Sequence, residues 1–155
     1  MTVLERPFLS PTGGRRRVLI VEDSDEDFDT AAEAIQRAGM SIDLQRFTTG
    51  DGCIEWLESH PGAHLSVMVL LDLNIPGRDG RDVLQEIRDR RALSSLPVVI
   101  VTTSANPRDV RWCFERGANA YHVKPLHYLE HRRRLEQLFI YWLRLVQLPG
   151  TAEAV

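Results

Sequence analysis

Cysteine is scarce in this chain. Cys53 and Cys113 are the only two in 155 residues, with no CxxC pair and no metal-ligand spacing. That argues against a disulfide scaffold or a cysteine-bound metal, and suits two small buried apolar side chains in a reducing cytoplasm. An excess of one charge is missing too. Nineteen Lys and Arg residues stand against 22 Asp and Glu, a net charge of −3, so no global field draws the molecule to nucleic acid or an anionic membrane. Long apolar runs are absent, since the aliphatic run Val67 to Leu71 is far short of a membrane span. The N-terminus offers only Val3-Leu4 and Phe8-Leu9, broken by Glu5, Arg6 and Pro7, which is too little for a signal peptide. A soluble cytoplasmic protein is expected.

What is present is ordinary for one globular domain: 43% apolar and 26% charged residues. Residues 1–14 carry two prolines and end in Gly13-Gly14, and read as a flexible arm. Residues 15–148 read as the domain, and 149–155 as a tail. Within the domain, β-branched apolar runs alternate with amphipathic stretches. Arg17 to Val21, Leu44 to Thr48, Val67 to Leu71, Val98 to Val101 and Ala120 to Val123 read as strands. Glu26 to Ala38, Gly52 to Ser59, Arg81 to Arg91, a segment opening at Asn106-Pro107, and one long final helix reaching Leu148 read as helices. Five strands alternating with five helices imply an open parallel α/β sheet covered on both faces. Such sheets place their sites beyond the carboxyl ends of the strands, where strand order reverses.

The residues at those strand ends are chemically complementary. Glu22 and Asp23 follow the first strand, Asp72 and Asn74 the third, Thr102 the fourth, and Lys124-Pro125 the fifth. Taken singly, each has a bland reading. An acidic pair after a strand is more often a helix cap, Asp72 before Ile-Pro-Gly is as easily a turn former, and Lys-Pro alone means little. Jointly, they put three carboxylates, a hydroxyl and a lysine on one sheet edge. Two like charges about 4 Å apart repel by roughly 4 kcal/mol at an effective dielectric of 20. A hard divalent cation such as Mg²⁺ relieves that repulsion. With the cation beside Asp72 and Lys124 placed for an anionic oxygen, the set suits phosphoryl transfer.

These residues lie in recognisable blocks: Val18-Leu-Ile-Val-Glu-Asp-Ser24, Val69-Leu-Leu-Asp-Leu-Asn-Ile-Pro-Gly77 with Asp79-Gly80, Pro97-Val-Val-Ile-Val-Thr-Thr103, and Gly117-Ala-Asn-Ala-Tyr-His-Val-Lys-Pro125. Over roughly residues 16–148 the chain resembles response-regulator receiver domains. The resemblance implies a flavodoxin-like doubly wound five-stranded parallel sheet of order 2-1-3-4-5, with five helices and an extended C-terminal helix. It implies Asp72 as phosphoacceptor and Asp23 as a direct Mg²⁺ ligand, with Glu22 acting through water and Asn74 contributing its backbone carbonyl. Thr102 and Lys124 would contact the phosphoryl group, and Tyr121 stands where the family keeps an aromatic switch. The family usually has aspartate where Glu22 stands, and the longer carboxylate should still reach a metal-bound water. The Glu-Asp-Ser-Asp-Glu-Asp opening, Asp-Leu-Asn-Ile-Pro-Gly, Thr-Thr-Ser and Tyr141-Trp142 further resemble stand-alone regulators paired with bacterial phytochromes. A sensor histidine kinase, of bacteriophytochrome type, is the implied partner.

No DNA- or RNA-binding motif and no catalytic domain follows, so the expected output is protein contact or phosphate relay. From Leu135 to Leu148, ten of fourteen positions are apolar or aromatic, an apolar girdle rather than one stripe. It is expected to form a homodimer through Leu135, Phe139, Trp142, Leu143 and Val146, with Phe8 and Leu9 of the arm as additional candidates. Arg15 to Arg17 and Arg132 to Arg134 read as solvated faces rather than a nucleic-acid patch. His127 and His131 share metal-ligand spacing but no third ligand is apparent, so zinc is not expected. His60, His64 and His122 carry no argument. Two other classes compete. A haloacid-dehalogenase-type phosphatase would need a second aspartate where Asn74 stands. An unphosphorylated receiver-like scaffold would not need Glu22, Asp23, Asp72, Thr102 and Lys124 intact.

Overall fold

The computed structural model describes residues 16–62 and 67–149. The expected arm, Phe8, Leu9, His64 and most of the tail lie outside them. Five strands, β1 (Arg16–Val21), β2 (Ile42–Phe47), β3 (Val67–Leu71), β4 (Val98–Thr102) and β5 (Ala120–Val123), form one sheet. All neighbours are parallel and the order is β2-β1-β3-β4-β5. This is the flavodoxin-like doubly wound order. The helices are α1 (Asp25–Arg37), α2 (Gly50–Ser59), α3 (Gly80–Asp89), α4 (Pro107–Glu115) and α5 (Tyr128–Ile140).

Side chains alternate across a strand, so the central strands feed two cores. Leu19, Val21, Val69, Leu71, Val98 and Ile100 pack with residues of α2, α3 and α4 on one face. Val18, Ile20, Met68, Leu70, Val99 and Val101 pack with α1 and α5 on the other. Strand ends become helix starts through side-chain caps. Ser24 accepts from the Asp27 amide, Thr49 from Gly52, Asp79 from Arg81 and Asn106 from Arg108. Because β2 lies on one side of β1 and β3 on the other, the strand order reverses between β1 and β3. There the Asp72 amide donates to the Val21 carbonyl at 3.2 Å.

The C-terminal segment corrects the expected helix to Leu148. Regular α-helix stops at Ile140, and Tyr141–Leu145 form a wider π-helical turn closed by the Val146 amide on the Tyr141 carbonyl at 3.1 Å. Leu135, Phe139 and Leu143 stand four residues apart and so share one inward face, and all three are buried. The apolar girdle is therefore mostly core. Leu135, Phe139 and Leu143 are 4%, 0% and 3% exposed, and Trp142 and Val146 pack half-buried against the same cluster. None of the first three offers a surface to a second copy. Tyr141 and Leu145 are the large apolar side chains this turn leaves outside.

The arginine runs also divide. Arg16 is buried rather than solvated, its guanidinium donating to the Leu143 carbonyl in the middle of the π turn. Arg17 pairs with Asp43, Arg132 with Glu33, and Arg134 with Glu130. Among the described residues, no helix is long and apolar enough to cross a membrane.

Candidate functional site

The sheet order brings four strand ends to one place. Glu22 and Asp23 leave β1, Asp72 leaves the adjacent β3, Thr102 ends β4, and Lys124 follows β5. Glu22, Asp72, Thr102 and Lys124 are buried, while Asp23 is exposed at the rim. A carboxylate oxygen from each of Glu22, Asp23 and Asp72 lies within 4.8 Å of the others. One oxygen of buried Glu22, Oε2, has no hydrogen-bond partner. Hard oxygen donors of this number and spacing fit a divalent cation.

Lys124 closes the site from the β5 side. Its ammonium donates to Glu22 Oε1, to Asp72 Oδ2 at 2.8 Å and to Asp27 Oδ2 at 2.7 Å. Burial alone would lower its pKa, but the three carboxylates outweigh that and hold it above the ordinary lysine value. Burial pushes Glu22 the other way, up to about 7, against the pull of Lys124. A cation among the carboxylates would remove much of that penalty. The second Asp72 oxygen, Oδ1, accepts from the Asn74 amide at 3.1 Å, which fixes the carboxylate plane.

Around this centre the loops are tied by residues that sequence patterns did not single out. Arg46 of β2 donates to the carbonyls of Glu22 and Asp23, both at 3.0 Å, and to Asp25 at 2.7 Å. It steadies the turn that carries the acidic pair. Beyond β4, the Thr102 hydroxyl accepts from the Ser104 amide at 3.4 Å, and the Ser104 hydroxyl donates to Asp109 at 2.6 Å. Asp109 is also bound by Arg81 at 2.7 Å; these two partners hold its carboxyl below the usual range. The Tyr121 hydroxyl donates to the Ser104 carbonyl at 2.8 Å. Tyr121 is thus linked through Ser104 to the residue that ends β4.

Gly80, quoted above only as part of a block, has a specific role. A Cβ there would lie 2.1 Å from the Asp72 carbonyl oxygen, so α3 can start against the phosphoacceptor candidate's backbone only without a side chain. Lys124 carried a signal that composition alone held: it is the only lysine of the chain, all other basic residues being arginine. Asp27 had none, because an acid in a helix's first turn is commonplace. His127 and His131 do not form a joint site. His127 is the exposed residue preceding α5, while His131 is buried near Asp27 and Lys124.

Comparison with known proteins decides the family. The model of the response regulator receiver domain matches residues 18–136. The chain belongs to the response-regulator receiver family. Among curated relatives, the probable methanogenesis regulatory protein FilR2 of Methanothrix harundinacea is 34% identical over 87% of this chain and 88% of its own. Among solved structures, the Mn²⁺-bound form of response regulator Rcp1 superposes with TM-score 0.79 at 31% identity, covering 86% of this receiver and 99% of Rcp1. The curated Rcp1 sequence is from Synechocystis. The phosphorylated cyanobacterial phytochrome response regulator RcpA gives TM-score 0.80 at 26% identity, covering 88% and 99%. This is a two-component signalling protein whose acidic cluster fits a divalent metal site.

Proposed function

We propose that this receiver accepts a phosphoryl group on Asp72 from a phosphohistidine of a sensor histidine kinase, in a Mg²⁺-dependent reaction. The observation that carries the reading is the pairing of Asp72 with Lys124 on one side and the Glu22–Asp23 carboxylates on the other. Glu22, Asp23 and Asp72, with the backbone carbonyl of Asn74, would hold the Mg²⁺. The ion supplies neutralisation of charge on the phosphoryl oxygens.

The chain's own residues do the positioning. The Asn74 amide holds Asp72 Oδ1, leaving Oδ2 to attack phosphorus in line with the departing imidazole nitrogen. The P–N bond breaks as the P–O bond forms, and the imidazole nitrogen takes a proton. Lys124 then follows the new oxygens, and the Thr102 hydroxyl turns from Ser104 to donate to one of them. That turn would pull on the loop bound to Tyr121, shifting a two-state equilibrium in the β4–α4 region. The same site would assist loss of the phosphoryl group to water. Output runs through protein contact or onward phosphate relay in the cytoplasm. A kinase of phytochrome type is supported by the likeness to the phytochrome response regulator RcpA.

Labelling tests the core of this reading. Acetyl phosphate or a phosphorylated kinase, with Mg²⁺, labels the wild type and leaves Asp72→Asn unlabelled. Chelation of the metal abolishes the label. Equal labelling of both proteins refutes the assignment.

A further inference from the structure

We infer that Asp27 is a positioning residue that holds the Lys124 ammonium toward α1 and competes for it with whatever group is bound on Asp72. The inference rests on Asp72 being the phosphoacceptor. An ammonium has three N–H donors. In Lys124 all three are engaged, by Glu22 Oε1, Asp27 Oδ2 and Asp72 Oδ2. The side chain is 6% exposed, so water has little access to take the place of a lost partner. A phosphoryl group on Asp72 Oδ2 takes away one acceptor and presents new anionic oxygens. Lys124 can meet them fully only by loosening another contact.

The three carboxylates are not equivalent in that exchange. Glu22 and Asp72 belong to the trio whose oxygens converge for a cation, and Asp27 does not. Asp27 is also held from behind, because Ser24 accepts its amide at the start of α1. Although burial opposes ionisation, Lys124 outweighs it and keeps Asp27 a carboxylate. Its charge therefore remains in place, sharing the ammonium and repelling a dianion on Asp72. Removing the charge, with the shape kept, should strengthen the hold on such a group.

Beryllium fluoride, which coordinates a carboxylate as a phosphoryl mimic, reads this as an equilibrium. Its affinity is measured by ¹⁹F NMR in the presence of Mg²⁺ on the full chain. Two pairs separate charge from shape: wild type against Asp27→Asn, and Asp27→Glu against Asp27→Gln. In each pair the neutral member should bind about tenfold tighter. Because Lys124 is the sole lysine, [¹⁵N]lysine labelling gives a single side-chain ammonium signal. That signal should move further on fluoride addition in the neutral members. Asp29→Asn, on an exposed residue two positions further along α1, should behave like wild type. Equal or weaker affinity in the neutral members overturns the inference, as does an Asp29→Asn that matches Asp27→Asn. A wild type that binds no beryllium fluoride brings down the Asp72 reading instead.

Discussion

Gly80→Ala is a one-carbon change aimed at the backbone of the candidate phosphoacceptor. Its Cβ would sit 2.1 Å from the Asp72 carbonyl oxygen, 2.7 Å from Leu73 Cα and 3.0 Å from the Asp72 carbonyl carbon. All three obstacles are backbone atoms, so no rotamer change relieves the clash. The β3–α3 loop must open by more than an ångström, and the Gly80 amide bond to the Leu73 carbonyl, 3.0 Å long, stretches with it. Overpacking of this kind costs about 1–3 kcal/mol, and weakening the hydrogen bond adds about 1. Alanine's better helix propensity returns up to about 1 kcal/mol. The net loss is about 1–3 kcal/mol, and the urea midpoint falls in proportion at an unchanged slope. Phosphoryl labelling should fall at least tenfold, because the atoms displaced carry the Asp72 side chain. Gly77→Ala is the comparison. Gly77 sits at φ +74° with no atom within 4 Å of a Cβ, so it should cost about 1 kcal/mol of backbone strain and leave labelling nearly intact. A Gly80→Ala protein with wild-type midpoint and labelling would refute the argument from close approach.

Phe139→Ala should destabilise by about 3–5 kcal/mol in thermal or urea denaturation, since the ring is fully buried between α5 and the sheet. Phe139→Glu with Leu143→Glu should fail to fold, and a folded double variant would mean that these side chains do not pack internally. Burial pushes the thiols of Cys53 and Cys113 up to about 12 and about 11. Neither should react with iodoacetamide at pH 8 until urea is added, and rapid native alkylation would contradict the buried placement. An unfolded thiol loses its proton near 9, below both folded values, so the unfolded chain binds fewer protons in that interval. The thiols' contribution to stability is therefore present below pH 9 and lost as pH rises toward 11–12.

The sequence by itself determined the fold class and which residues stand at the strand ends where the candidate site lies. Runs such as Met68 to Leu71 are buried on both faces of a sheet, and the unbroken apolar pattern records that directly. A chemical group at a strand end is tied to its strand by covalent connection, so Glu22, Asp23, Asp72, Thr102 and Lys124 can be collected from the chain alone. Even helix caps such as Ser24 and Asn106 follow from local hydrogen bonding. What only the tertiary structure decided depends on contacts between segments far apart in the chain. The Asp27–Lys124 pair spans 97 residues, and nothing near Asp27 distinguishes it from Asp25 or Asp29. Gly80 is dictated by the approach of α3 to the backbone after β3, which has no local signature. The apolar girdle of α5 misled for the same reason. Counting apolar residues does not say which of them neighbours cover: Leu135, Phe139 and Leu143 pack with α1 and the sheet, while Tyr141 and Leu145 are left outside. Local sequence specifies which groups a strand or helix carries; which of them meet across the sheet is settled only when all the elements pack.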